Sequence, residues 1–171
     1  QALSGAYRGW RERALSGGLV DRAGALASEQ LSRILYHVPF CKMARKAHTH
    51  LRHAELVELF GSPDAEALVR WEAEAAASFE AQVAPSLLLA SRVGNTYTAS
   101  LYLGIASLLH TQASALVGQR VGLFSYGSGC SSEFFSGVVG PRAAERIARA
   151  GIDQLLERRV RIDVHEYERI M

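Results

Sequence analysis

The chain has 171 residues, enough for one well-buried domain, and its 49% apolar and 21% charged content is that of an ordinary globular protein. A net charge of +2 with neutral histidines gives no strong pull toward nucleic acid or a membrane surface. Two cysteines, Cys41 and Cys130, exclude a disulfide framework or a zinc site and point to a reducing, cytoplasmic setting.

The chain opens in a helical pattern. Leu3, Tyr7, Trp10 and Ala14 recur at helical spacing, and Gly17-Gly18 supplies a stop. No signal peptide is visible there. The first residue is Gln1, and Met171 again falls inside a helical pattern, so a longer polypeptide is expected around this segment. Residues 21–30 are polar with scattered Ala and Leu, which predicts a short helix. Residues 31–36 then read as a buried strand.

His37 follows that strand, and Pro39 sits where a helix begins, because its fixed φ and missing N–H suit a first turn. In α/β architectures ligands collect at the carboxyl ends of strands. The helix, residues 40–60, has an apolar side of Phe40, Met43, Ala44, Ala47, Leu51 and Ala54. Its other side carries Lys42, Arg45, Lys46, Thr49, Arg52 and His53. Lys42 and Lys46 are the only lysines of the chain and share a helix face. Lys42 stands in the first turn, against the helix dipole, which points to an anionic ligand. The plain reading of such a run is a solvated face.

Ser62-Pro63-Asp64 is a helix start, with a capping side chain, then Pro, then an acid. Leu68, Trp71, Ala75 and Phe79 form that helix's apolar side, and Pro85 ends it. Residues 87–90 are a short apolar run, strand or buried helix. Residues 94–98 interrupt the pattern and lead into residues 99–110, apolar nearly all round, which predicts a helix within the core. The longest apolar region, residues 97–109, is too short to span a bilayer.

Residues 120–124 read as a central strand, residues 125–129 as a glycine-rich turn, and residues 130–139 as an antiparallel second strand. Pro141 opens a helix over 142–150, another follows over 152–159, and Asp163 with Glu166 makes a capping-box start to a last one. The whole pattern is α/β with a layered core.

Three polar residues break apolar sequence at strand–helix or strand–turn junctions: His37, Asn95 and Ser128. Imidazole gives and takes protons near neutrality, and a carboxamide donates to a developing oxyanion without titrating. Gly127 and Gly129 allow close backbone approach around Ser128. Each also has a plain reading: a satisfied core histidine, a helix cap, a hairpin turn. The glycine-rich stretch lacks the lysine of a phosphate-binding loop. His48, His50 and His53 invite a metal reading, but His48 falls off the side that His50 and His53 share, so no metal is expected. Cys41 and Cys130 read as buried bystanders.

Three blocks together resemble 3-hydroxy-3-methylglutaryl-CoA (HMG-CoA) synthases. They are Tyr36-His37-Val38-Pro39-Phe40-Cys41-Lys42-Met43, Val93-Gly94-Asn95-Thr96-Tyr97-Thr98-Ala99-Ser100-Leu101-Tyr102 and Gly122-Leu123-Phe124-Ser125-Tyr126-Gly127-Ser128-Gly129. The blocks occur in the family's order and spacing. The resemblance implies the carboxyl-terminal half of a thiolase-like fold, layered α/β/α/β/α when complete. The family's cysteine nucleophile and glutamate belong to the amino-terminal half, and neither Cys41 nor Cys130 matches that cysteine. This chain is therefore expected to complete a site with a second half.

By the same resemblance, His37 is the catalytic histidine that protonates the ketone oxygen of the acceptor. Asn95, Ser128 and Tyr126 would contact or line the acceptor site, and Lys42 and Lys46 would lie near the pantetheine and phosphate groups. The implied reaction adds an acetyl-derived enolate to a β-ketoacyl thioester and releases the product by hydrolysis. No permanently bound cofactor is implied, only thioesters on phosphopantetheine, carried by acyl carrier proteins or CoA. A homodimer is expected from the family. Residues 128–139 and the short connection from Phe60 to Ser62 look more like the polyketide β-branching enzymes, and a basic face of Arg45, Lys46 and Arg52 would suit an acidic carrier protein. The alternatives are an HMG-CoA synthase of primary isoprenoid metabolism and a non-catalytic thiolase-like partner.

Overall fold

The computed structural model describes residues 2–21, 26–129 and 131–171. Its strands are β1 (Arg33–Tyr36), β2 (Arg120–Gly127) and β3 (Ser131–Val138). Its helices are α1 (Ala2–Ser16), α2 (Cys41–Phe60), α3 (Ala65–Gln82), α4 (Leu88–Val93), α5 (Ser100–Leu116), α6 (Ala143–Ala148), α7 (Ile152–Glu157) and α8 (Val164–Ile170). The sheet runs β1-β2-β3, with β1 parallel to β2 and β3 antiparallel to it. The expected short helix over 21–30 is a single 3-10 turn, Ala27–Gln30, and residues 22–25 and Cys130 lie outside the described residues.

Period-two alternation gives the sheet two buried faces. On one, Ile34, Tyr36, Phe124 and Phe134 meet α1, α2 and α3. On the other, Leu35, Val121 and Leu123 meet Leu101, Leu108 and Leu116 of α5. Helices on both faces explain why residues 34–36 of β1 and residues 121–124 of β2 are buried without a break. At the α1 side Tyr7, Trp10 and Phe134 form an aromatic cluster, with the Tyr7 ring edge-on to Phe134 at 5.0 Å. Leu3, Tyr7, Trp10 and Ala14 are all buried, as their spacing predicts.

Helix α2 corrects the sequence reading. Its buried side is Ala44, His48, Leu51, Arg52 and Glu55, while Phe40, Met43 and Ala54 are exposed. Each inward polar side chain finds a partner supplied by another element. Glu55 accepts from the Tyr7 phenol at 2.5 Å and from both the backbone N–H and the hydroxyl of Ser28. Arg52 donates to Ser28 Oγ at 2.9 Å and pairs with Glu29 at 2.6 Å. Burial, and then the Glu55 carboxylate, push the Tyr7 phenol far above its ordinary value. Buried polar groups are tolerated when they are paired, and local periodicity cannot anticipate partners drawn from distant segments.

Two helix starts differ in their caps. Asp64, not Ser62, caps α3, accepting from Ala67 N at 2.7 Å. Phe40 is the residue before α2, so Pro39 stands outside the first turn. Leu68 is exposed, whereas Trp71, Ala75 and Phe79 are buried as read. Residues 88–93 are helical, which settles the ambiguous apolar run. Strand β2 runs on through Ser125, Tyr126 and Gly127, leaving only Ser128 and Gly129 as described turn residues. Asp163 accepts from Glu166 N at 2.8 Å and caps α8 as expected. No helix among the described residues is long and apolar enough to cross a membrane.

Candidate functional site

Strand β1 ends at Tyr36, and the chain turns outward at His37. The His37 backbone N–H still donates to the Phe124 carbonyl at 2.8 Å, which ties the residue to the sheet edge. Three segments meet there. The first is the β1–α2 junction, the second the loop between α4 and α5, and the third the end of β2. Together with the start of α1 they enclose a cavity of about 710 Å³ lined by His37, Lys46, His50, Tyr97, Tyr126 and Ser128, among others. The cavity therefore sits at the carboxyl end of parallel strands, where α/β folds collect ligands.

Four of the six residues expected to form the site share this cavity: His37, Lys46, Tyr126 and Ser128. His37 is half-buried, and Lys46, Tyr126 and Ser128 are exposed at its mouth. Lys42 is elsewhere. It lines a second cavity of about 690 Å³ with Cys41, Arg45 and Phe79. Four helical residues turn about 400°, so Lys46 stands about 40° further round α2 than Lys42. The two lysines therefore keep one helix face and still line different cavities.

Asn95 also lies off the cavity lining. It is exposed, and its Oδ1 accepts from Tyr97 N at 2.9 Å. The turn that follows holds Tyr97 at φ 49°, in the left-handed region that a tyrosine seldom adopts. Tyr97 and Thr98 are the residues this loop gives to the cavity wall. Asn95 thus shapes the loop with its carbonyl oxygen. Tyr97 and His50 were not read as site residues. The only local sign for Tyr97 was its place two residues after a glycine–asparagine break, and His50 needed α2 to be set against α1, where it bonds Ser4 Oγ at 2.8 Å.

The basic face read on α2 breaks up. Arg52 is 3% exposed, and Arg45 stacks over the Phe79 ring at 4.1 Å while pairing with Glu80 at 2.7 Å. Among the described residues no group of three or more His, Cys, Asp or Glu side chains converges. His48 is fully buried against Tyr36 and Ser78, and His53 packs near Trp71. Cys41 is the first residue of α2.

Residues 63–171 match the family model described as the C-terminal region of hydroxymethylglutaryl-coenzyme A synthase. This chain belongs to the HMG-CoA synthase family. The polyketide biosynthesis 3-hydroxy-3-methylglutaryl-ACP synthase PksG of Bacillus subtilis (strain 168) is 36% identical over 146 residues, 85% of this chain and 31% of that protein. The hydroxymethylglutaryl-CoA synthase of Saccharomyces cerevisiae is 33% identical over 190 residues, covering 98% of this chain and 39% of that protein.

Among solved structures, MvaS in complex with 3-hydroxy-3-methylglutaryl coenzyme A superposes with a TM-score of 0.91 at 59% identity, over 99% of this chain and 41% of that one. The HMG synthase of the curacin biosynthetic pathway, in complex with acetyl donor-ACP, gives 0.71 at 32% identity, over 98% and 36%. The α/β fold is thus the thiolase-like fold of HMG synthases. The chain spans well under half the length of each of these family members.

Proposed function

We propose that this chain supplies the histidine-bearing half of an HMG-synthase condensation site. The observation that carries the reading is one cavity at the strand ends, lined by His37, Lys46, Tyr126 and Ser128 from separate segments of a chain of this family. The second half would bring the cysteine nucleophile and the glutamate.

The chemistry follows from the product bound in the MvaS structure, a 3-hydroxy-3-methylglutaryl thioester. Its tertiary alcohol carbon marks the new bond. Breaking that bond on paper leaves an acetyl-derived carbanion and a 3-oxobutanoyl thioester. In the forward direction the enolate carbon attacks the ketone carbon, the carbonyl electron pair moves to oxygen, and that oxygen takes a proton. Protonated His37 is the donor in this reading, and Ser128 and Tyr126 hold the acceptor chain. Proton transfer in the transition state contributes roughly 10²–10⁴ in rate. Hydrolysis of the acyl-cysteine then frees the carboxylate end. The thioester's phosphopantetheine arm arrives with the substrate, so no resident cofactor takes part. Lys46 at the cavity mouth is suited to an anionic part of that arm, and Lys42, one turn back along α2 and lining the second cavity, to one further along.

CoA is the favoured carrier of the acceptor. Likeness to MvaS is greater than likeness to the curacin enzyme in identity and in superposition, and of the three cations Arg45, Lys46 and Arg52 on α2, Arg52 is buried and Arg45 is paired with Glu80. The carrier-protein reading draws support from the identity to PksG and from the 128–139 segment. The test supplies the complete polypeptide with acetyl and acetoacetyl groups on CoA, or on a holo carrier protein, and identifies products by mass spectrometry. An HMG thioester formed on CoA at the higher rate is expected. Turnover on the carrier protein alone selects the second reading, and no HMG product on either carrier ends both.

A further inference from the structure

His37 stands between two residues whose positions are set by buried side chains from elsewhere in the chain. On its amino side, Tyr36 is 2% exposed, and its phenol lies 3.0 Å from Nδ1 of His48. His48 Nε2 lies 2.8 Å from Ser78 Oγ. The direction of each bond follows from the far end of the chain of contacts. Gln82 Nε2 donates to the carbonyls of Ser28 and Leu31, at 3.0 and 2.6 Å, which leaves Oε1 as its acceptor. Ser78 gives its one proton to that oxygen at 2.7 Å. Ser78 must then accept from His48, so the ring proton is on Nε2, and Nδ1 accepts from the Tyr36 phenol. One neutral tautomer satisfies every member. Burial, followed by the Arg52 cation, lowers His48 to about 4, which keeps it in that neutral form.

On the carboxyl side, Val38 lies beyond the last residue of β1, where the sheet ladder ends. Ser100, the first residue of α5 and 2% exposed, takes the place of a strand neighbour. Its hydroxyl accepts from Val38 N at 2.8 Å and donates to Val38 O at 2.9 Å. A single side chain satisfies both backbone groups of a buried residue.

We propose that Ser100 and His48 are the positioning residues of His37. Neither lines the cavity; together they fix residues 38 and 36, and with them the origin of the imidazole. The proposal rests on the reading of His37 as the proton donor of the condensation. It explains why a buried histidine and a buried serine bracket the one residue that turns out of the sheet. A displaced catalytic group loses rate steeply, up to about 10²-fold for a shift of about 1 Å.

The experiment uses the complete enzyme with Ser100→Ala, Ser100→Thr, Tyr36→Phe and His48→Gln beside His37→Ala. Ser100→Ala and Tyr36→Phe are expected to lower condensation kcat about tenfold. KM for the β-ketoacyl thioester and the rate of acetyl loading are expected to stay unchanged. Ser100→Thr keeps the hydroxyl and His48→Gln keeps an acceptor and a donor, so both are expected to recover most of the rate. Should Ser100→Ala fail to fold, Ser100→Cys replaces it, since it keeps the volume and weakens the bonds. A Ser100 variant that condenses at the wild-type rate removes Ser100 from the proposal, and a Tyr36→Phe variant that does so removes His48. A parallel fall in acetyl loading overturns it as general loss of structure. The underlying reading fails separately, if His37→Ala itself condenses normally.

Discussion

Gly122 of β2 lies directly beneath the ring of Phe134: a Cβ at Gly122 would fall 2.8 Å from Phe134 Cζ and 2.7 Å from Leu31 Cδ1. Both neighbours are packed within the core. Leu31 is fully buried, and Phe134 is 1% exposed and held edge-on by Tyr7. In a strand, alanine ordinarily gains about 0.5–1 kcal/mol over glycine. Here Gly122→Ala is expected to cost about 1–3 kcal/mol, because neither neighbour can give way. Urea denaturation of the intact protein reads the sign directly. Pairing Gly122→Ala with Phe134→Leu is expected to return part of the loss, a coupling that residues in contact show and distant ones do not.

The buried imidazole of His48 makes stability depend on mild acid. Unfolded, the ring takes a proton near its ordinary value of 6.5; folded, burial and then Arg52 hold it to about 4. Between those values the unfolded chain binds the extra proton, so this contribution is complete above about pH 6.5 and is lost as pH falls toward 4. Its size is on the order of 3 kcal/mol. His48→Gln keeps both hydrogen-bond partners and cannot titrate. The variant's stability, followed by denaturant midpoint from pH 7 to pH 4, is expected to fall less steeply than that of the parent.

The surface of this chain is too large for its length. It exposes 10613 Å², whereas a compact monomer of 171 residues exposes about 8,200 Å². The excess lies partly on α5, where Tyr102 is 71% exposed, and partly on α6, α7 and α8, which bury no residue. Leu155, Val160, Val164 and Ile170 all stand in solvent. Expressed by itself, this segment is expected to self-associate at micromolar concentration, as contiguous apolar patches do. Light scattering after size exclusion measures it. A monodisperse monomer with cooperative unfolding would contradict the expectation.

Much of the architecture was legible because its signals are local. The spacing of Leu3, Tyr7, Trp10 and Ala14, the apolar run of residues 34–36 in β1, and the acid three residues after Asp163 each identify an element without reference to the rest of the chain. What escaped was long-range. Arg52 reads as part of a solvated face, and nothing local marks His48 or Glu55 as buried, because the partners that let the three turn inward, Ser28, Tyr36 and Tyr7, lie 24, 12 and 48 residues away from them in sequence. The same limit applied to the site. The motif blocks pointed to the β1–α2 junction and the end of β2, which do meet around His37, Tyr126 and Ser128. They could not foretell that Asn95 would spend its carbonyl oxygen on Tyr97, or that Lys42 and Lys46 would line different cavities.

The central claim is that the imidazole of His37 delivers the proton to the acceptor's ketone oxygen. Single-turnover analysis of His37→Ala in the complete enzyme tests it most directly, with acetyl-enzyme and HMG product followed together by quenched mass spectrometry. Acetyl-enzyme is expected to form at the parental rate while product formation falls roughly 10²–10⁴-fold. Product appearing at the parental rate, or an equal loss in both steps, would contradict it.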